Sequence, residues 1–326
     1  MRAWAAVAIV LAIAMQSSSK PPLTLVHTIE LPRVEGRIDH LAFDAVGGRV
    51  FIAALGNNTV EVIDVKKAVH VKSLAGFREP QGIALATDAG VVAVANGQGE
   101  GVQFIGLDDS QPRKAIALGD DSDNVRYDAG ARRLFVGYGS GAIAAVDPIG
   151  ATIVGTVKLA GHPESFQLER AGPRIFVNVP SGGQIAVIDR SAMRVTATWP
   201  VSEARANYPM ALDEAHHRLF IGCRNPARVL VYDTQSGKPI GSAEIVGDTD
   251  DMFLDTRLNR LYVAGGEGFI DVLDTALNAK LARLARIKTD AGARTALFTP
   301  DQRRLYLAVP HRGAQKAAIK IYEVQD

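Results

Sequence analysis

The stretch RIDHLAFD, residues 37–44, sets a carboxylate beside an imidazole at Asp39 and His40. Such a pair can exchange protons, hold or orient a metal ligand, or simply mark the place where a strand meets water. The rest of the stretch alternates. Leu41 and Phe43 are expected on one face and Ala42 on the other, as in a buried strand. The pair thus opens a strand, and its meaning depends on what the other strand starts bring beside it.

The elements that position it recur along the chain. GGRVFIAALGNNTVEVID (47–64), ARRLFVGYGSGAIAAVD (131–147), GPRIFVNVPSGGQIAVID (172–189), HHRLFIGCRNPARVLVYD (216–233) and LNRLYVAGGEGFIDVLD (258–274) share one plan: turn, strand, Gly- or Asn-rich turn, strand, Asp. Weaker copies occupy 89–108 and 302–324. The closing aspartates, Asp64, Asp108, Asp147, Asp189, Asp233 and Asp274, stand about 40–45 residues apart, which with four short strands per unit is the period of propeller blades. Inner strands are expected to end at Asp44, Ala86, Asp128, Glu169, Asp213, Asp255 and Thr299. The C-terminal IKIYEV is only a third strand, and LTLVHTIEL (23–31) is a spare one. The expected fold is all-β: a seven-bladed β-propeller of four-stranded antiparallel blades over residues 20–326, its ring closed by the N-terminal strand in the last blade.

Counting back from each inner-strand end aligns Asp39 with Gln81, Asp123, Glu164, Tyr208, Asp250 and Arg294, and His40 with Gly82, Asn124, Ser165, Pro209, Asp251 and Thr295. These residues are expected to ring the mouth of the axial channel, with His162 near the rim. Three readings follow. The carboxylates can bond backbone N–H groups of neighbouring blades. They can receive an organic, peptide or protein ligand. Or they can bind a divalent cation: Ca²⁺ through the carboxylates and Asn124, Mn²⁺ or Zn²⁺ through His40 with Asp and Glu. Turns on the same face add Asn57, Asn58, Asn96, Asn178, Arg224, Asn225, Glu267, His311 and Arg312, each read first as a turn residue. His216 and His217 fall on the opposite face, and GDDSDN (119–124), with Asp120, Asp121 and Asp123, lacks the glycine and distal glutamate of an EF-hand.

RLYVAGGEGFIDVLD and RVFIAALGNNTVEVID resemble the repeats of the YVTN (YncE-like) seven-bladed propeller family, over about residues 23–326. The resemblance implies export and a propeller; its motif residues are structural. The chain departs from the family pattern at VGYGSG and IGCRNP.

The chain has 326 residues, 36 basic and 35 acidic. Near-neutral charge gives no general attraction to nucleic acid or anionic membrane. Residues 1–19, with Arg2 and the apolar AWAAVAIVLAIAM, read as a cleaved secretory signal peptide, so a periplasmic or secreted monomer with no membrane span after cleavage is expected. One cysteine, Cys223, excludes an intrachain disulfide. No G-x-S-x-G, H-E-x-x-H, C-x-x-C-H or phosphate loop occurs. Aromatic residues are 6% of the chain, too few for a base- or sugar-stacking platform.

Two functions are weighed. The first is a recognition module with its site at an acidic channel face formed by Asp39, His40, Asp123, Asn124, Glu164, Asp250, Asp251 and Arg294. The second is a lactonase-like, metal-dependent hydrolase, similar to gluconolactonase-type propellers in architecture. There Asp39, Glu164 and Asp250 would hold the cation and His40 would serve as general base. A third option is an accessory propeller that docks to a redox partner.

Overall fold

The computed structural model describes residues 20–99, 101–119, 121–276 and 280–326. The expected signal peptide, 1–19, and Asp120 lie outside them. Seven sheets of four antiparallel strands form a ring. Inner strands are Leu41–Asp44, Pro80–Ala86, Ser122–Asp128, Phe166–Leu168, Arg205–Asp213, Thr249–Asp255 and Ala296–Thr299, in blades one to seven. Six end where the repeats place them; the fourth stops at Leu168, one residue before Glu169.

Each sheet is apolar on both faces, because each face meets another blade. Seven buried clusters result, one between each pair of neighbours. The alternation in blade one is as read: Leu41 and Phe43 pack toward blade seven, and Ala42 toward blade two. The outermost strands, such as Val69–Ala75 and Arg194–Pro200, are largely exposed and carry Lys72 and Arg194, which blunt the open edges. Among the described residues no helix is long and apolar enough to cross a membrane.

The repeated Asp and Arg have a mechanical role. The acid ending an inner strand pairs with the arginine that opens the next, and that arginine reaches a backbone carbonyl in the following blade. Arg49 bridges Asp44 and Leu107 O, Arg174 bridges Glu169 and Thr234 O, and Arg218 bridges Asp213 and Thr275 O. The same arginines lie over Phe51, Phe176 and Phe220, two residues on. Blade three inverts the device: Arg190 of blade four reaches back to Asp128 at 3.2 Å.

Blade seven closes as expected. Leu23–Glu30 pairs antiparallel with Ala318–Val324, from Leu23 opposite Val324 to Glu30 opposite Ala318. Removing residues up to Glu30 would strip the cover from Ile319 and Ile321, both fully buried. Such a truncated chain is expected to lose its cooperative thermal transition or to aggregate; an unchanged circular-dichroism melt would show that closure is dispensable.

Candidate functional site

Part of the ring placed by counting lines one cavity; Gln81, Gly82, Pro209, Asp251, Arg294 and Thr295 do not line it. Asp39, His40, Asp123, Asn124, Glu164, Ser165, Tyr208 and Asp250 line one small cavity at the channel mouth, together with Arg37. Its volume is about 20 Å³, room for one water-sized group. Backbone irregularity aims these side chains. In regular inner strands the side chains point to the neighbouring blades. At the mouth, pairing with the second strand slips between Pro80 and Ile83, Ser122 and Val125, Asn207 and Met210, and Thr249 and Asp251. Such bulges turn intervening residues, here Asp123, Asn124, Tyr208 and Asp250 among them, out of the alternation. Gly82 stands in one of these slips because a Cβ there would fall 1.9 Å from Asp123 O. Only glycine lets blades two and three approach so closely.

The face is not the acidic one the sequence suggested. Two of its acids, Asp39 and Asp250, are met by arginine. Arg37 lies 2.7 Å from Asp39. Arg224 and Arg294 hold Asp250 at 2.6 and 3.0 Å, and Arg294 also holds Asp248 at 2.8 Å. The Arg224 guanidinium lies 3.8 Å over the Tyr208 ring. Asp251 accepts the Ala296 N–H of blade seven, as the structural reading of these carboxylates expected. Arg294 and Arg224 were among the residues the sequence placed on this face; Arg37 was missed for a physical reason. Arg37 sits four residues before the strand start at Leu41, on an irregular approach segment, and Arg224 comes from the end of a second strand.

His40 lies 3.6 Å from Asp39 and 3.5 Å from Asp251. Burial opposes its charge, but Asp251 and Asp39 outweigh burial and hold its pKa up at about 10. An imidazole held charged in this way donates a proton rather than accepting one. His162 donates its Nδ1–H to Gly139 O at 2.6 Å, and its pKa is raised to about 9, where burial is outweighed by Asp123, Gly139 O and Asp121. Asp123 is held below the ordinary value: burial is outweighed by His162 and His40. Burial, relieved only in part by His40 and Arg37, lifts Asp39 to about 6.

Glu164 differs from the others. It makes no side-chain hydrogen bond or ion pair among the described residues. Burial, with Asp123 and Asp250 nearby, raises its carboxyl to about 8.

The expected cation set Asp39, Glu164 and Asp250 is not arranged as a metal centre. Asp39 and Asp250 are committed to arginines, and among the described residues no group of three or more His, Cys, Asp or Glu side chains could hold a metal ion. Adding Ca²⁺, Mn²⁺ or Zn²⁺ after chelation is expected to leave the thermal midpoint unchanged. A rise of several degrees with one metal, the effect of a ligand well above its Kd, would overturn this.

The same-face turn residues mostly fasten blades together. Asn57 accepts from Glu35 N–H, Asn58 from Glu79 N–H and Asn96 from Arg78 N–H. Asn178 donates to Tyr208 O, and Glu267 accepts from Gly247 N–H. His216 bonds Asp213 in its own turn on the far face. Cys223 is fully buried inside a strand, and burial pushes its thiol up to about 12, so it is no nucleophile.

No protein-family profile matches the chain, and no curated protein sequence matches it. Solved structures do. A chain from the crystal structure of a mitotic checkpoint complex is 14% identical, with a TM-score of 0.79 over 100% of this chain and 99% of that one. A chain of Kuenenia stuttgartiensis hydrazine synthase is 16% identical, with a TM-score of 0.73 over 85% of this chain and 94% of that one. At such identity the likeness is one of fold: this chain is similar to those proteins as a β-propeller.

Proposed function

We propose that this chain is an exported recognition propeller of the YVTN (YncE-like) kind, without chemistry of its own, that receives a cationic side chain of a partner protein or peptide at the channel mouth. One observation carries the reading: Glu164 is the uncommitted carboxyl of an otherwise paired ring, and it faces a cavity of about 20 Å³. That space admits an ammonium head but no sugar or nucleotide, so the bulk of the ligand must stay outside, on the loops of the rim. A propeller offers many such loops on one rigid frame. The similar chain from the mitotic checkpoint complex belongs to a protein assembly, and this favours a protein partner over a free metabolite. The hydrolase alternative would need a cation centre, and among the described residues no group of three or more His, Cys, Asp or Glu side chains could hold one.

The test is calorimetric titration with a short blocked peptide containing one lysine. Below about pH 8 Glu164 must give up a proton before it can pair with the ammonium, which itself stays charged to about pH 10. Affinity is expected to rise between pH 6 and pH 9, and Glu164→Gln to remove both the binding and its pH dependence. Equal binding by Glu164→Gln would sink the reading.

A further inference from the structure

The opposite end of the channel holds a second, larger depression. It opens between blades three and four, has a volume of about 670 Å³, and is lined by Arg126, Asp128, Leu168, Glu169, Arg170 and Arg190 among others. That is the size of a small-molecule site, about 300–1,000 Å³. Its carboxylates are spoken for. Asp128 pairs with Arg190, and Glu169 with Arg174. The remaining cations are not. Arg126 donates to Val125 O at 2.9 Å and to Asn124 Oδ1 at 3.0 Å, both neutral, and forms no ion pair among the described residues. Arg170, exposed on the rim, likewise forms none.

Arg126 is out of place in its own repeat. Counting from the inner-strand ends, its position is Ala42, Ala84 and Ala211 in three blades and Gln167, Phe253 and Leu297 in the other three, and no other blade sets a cation there. Its guanidinium instead lies over the Phe166 ring, 5.5 Å from the centroid, which fixes the plane of the fork. Burial holds its pKa below the usual arginine range, and the charges that counter this, Asp251 and Asp123, belong to the upper ring. A partly buried guanidinium kept without a carboxylate partner is a costly arrangement. Donors are left over on its fork.

We propose that this lower pocket is a binding site for a small organic carboxylate, whose anionic head is held by Arg126 and whose apolar body lies against Leu168 and Ala131. Arg126 supplies the planar, two-pronged contact that a carboxylate matches. Arg170 adds charge at the entrance. The excess of unpaired cations selects an anion over an amine.

Calorimetric titration of the purified chain with phenylacetate tests this, with benzylamine as the probe of opposite charge. Phenylacetate is expected to bind one to one, and benzylamine not to bind here. Arg126→Met, which keeps a stem over Phe166, is expected to weaken phenylacetate at least tenfold. Arg126→Lys, which keeps the charge but not the fork, should weaken it less and serves if Arg126→Met does not fold. Glu164→Gln, at the other mouth, should leave it unchanged, so this site can fail or stand apart from the upper one. No heat with phenylacetate at about 10 mM, or equal binding by Arg126→Met and Arg126→Lys, overturns the proposal.

Discussion

Raising the pH from about 5 to about 10 is expected to lower the thermal midpoint steadily, by several degrees in all. The groups of the channel mouth set the direction. His40 and His162 have folded pKa values of about 10 and 9 against an ordinary 6.5. Their stabilising charge is complete below 6.5 and lost as the pH climbs through the folded values. Glu164 and Asp39 act in the same sense by the opposite route. Their carboxyls titrate in the folded chain near 8 and 6, against 4.5 and 3.8 ordinarily, so stability falls as each is forced to ionise in place. In all four cases the folded chain binds more protons than the unfolded one over this window, and the slope is negative. Asp123 at the mouth, and Asp64, Asp88, Asp109, Glu214 and Asp233 elsewhere, run the other way, and only under acid, since their pKa values are lowered. One pKa unit corresponds to about 1.4 kcal/mol, but these groups face one another and their contributions do not add. Melts at low salt in steps of pH check the slope, and His40→Gln should flatten its upper half. A midpoint that is level or rises from pH 6 to 9 would contradict the electrostatics described for the ring.

Replacing Arg218 by methionine is expected to cost about 3 kcal/mol or more. The arginine is 5% exposed and Asp213, its partner, 2%. The pair is joined by bonds of 2.6 and 3.0 Å, and a third bond of 2.7 Å ties Arg218 to Thr275 O in the next blade. Truncation leaves a buried carboxylate with only His216 near it, and cuts one tie between blades five and six. The exposed pair Arg113–Asp109, with side chains 45% and 49% accessible, provides the contrast: Arg113→Met should cost under about 1 kcal/mol. Urea unfolding of both variants measures the difference. The double variant Arg218→Met, Asp213→Asn should recover part of the loss, since the stranded charge is gone. Equal effects at the buried and exposed pairs would refute the latch.

The blades were legible because their signal is repeated: the same strand pair, turn and terminal acid recur at one period, so errors in any copy are outvoted by the others. The ring at the mouth was legible for the same reason, since Asp39, Asp123, Glu164 and Asp250 hold one position in that period. What was not legible is whatever breaks it. Arg37 precedes its strand by an irregular step. Arg126 is the one cation at its position in the seven inner strands and lies over Phe166 of the next blade. The net character of the mouth depends on pairings between blades one, five, six and seven, through side chains long enough to cross from one to another. No counting within a blade finds those partners. The burial that lifts Glu164, and the carboxylates Asp251 and Asp39 that hold His40 charged against its burial, likewise belong to the assembled ring.

Leu23–Glu30 meets Ala318–Val324 across nearly the whole length of the chain, and this has a consequence for the order of events in folding. A chain gathered from its N-terminus can stack blades one to six as neighbours, each resting on local pairings. Its first strand has no partner until the last has been made. The ring thus stays open, with two apolar edges waiting, until the most distant contact in the molecule forms. Contacts of such sequence separation are slow to close, and waiting edges invite pairing with other chains. Refolding from urea should therefore end in a slow phase whose yield drops as protein concentration rises, while the earlier gain of strand structure is indifferent to concentration.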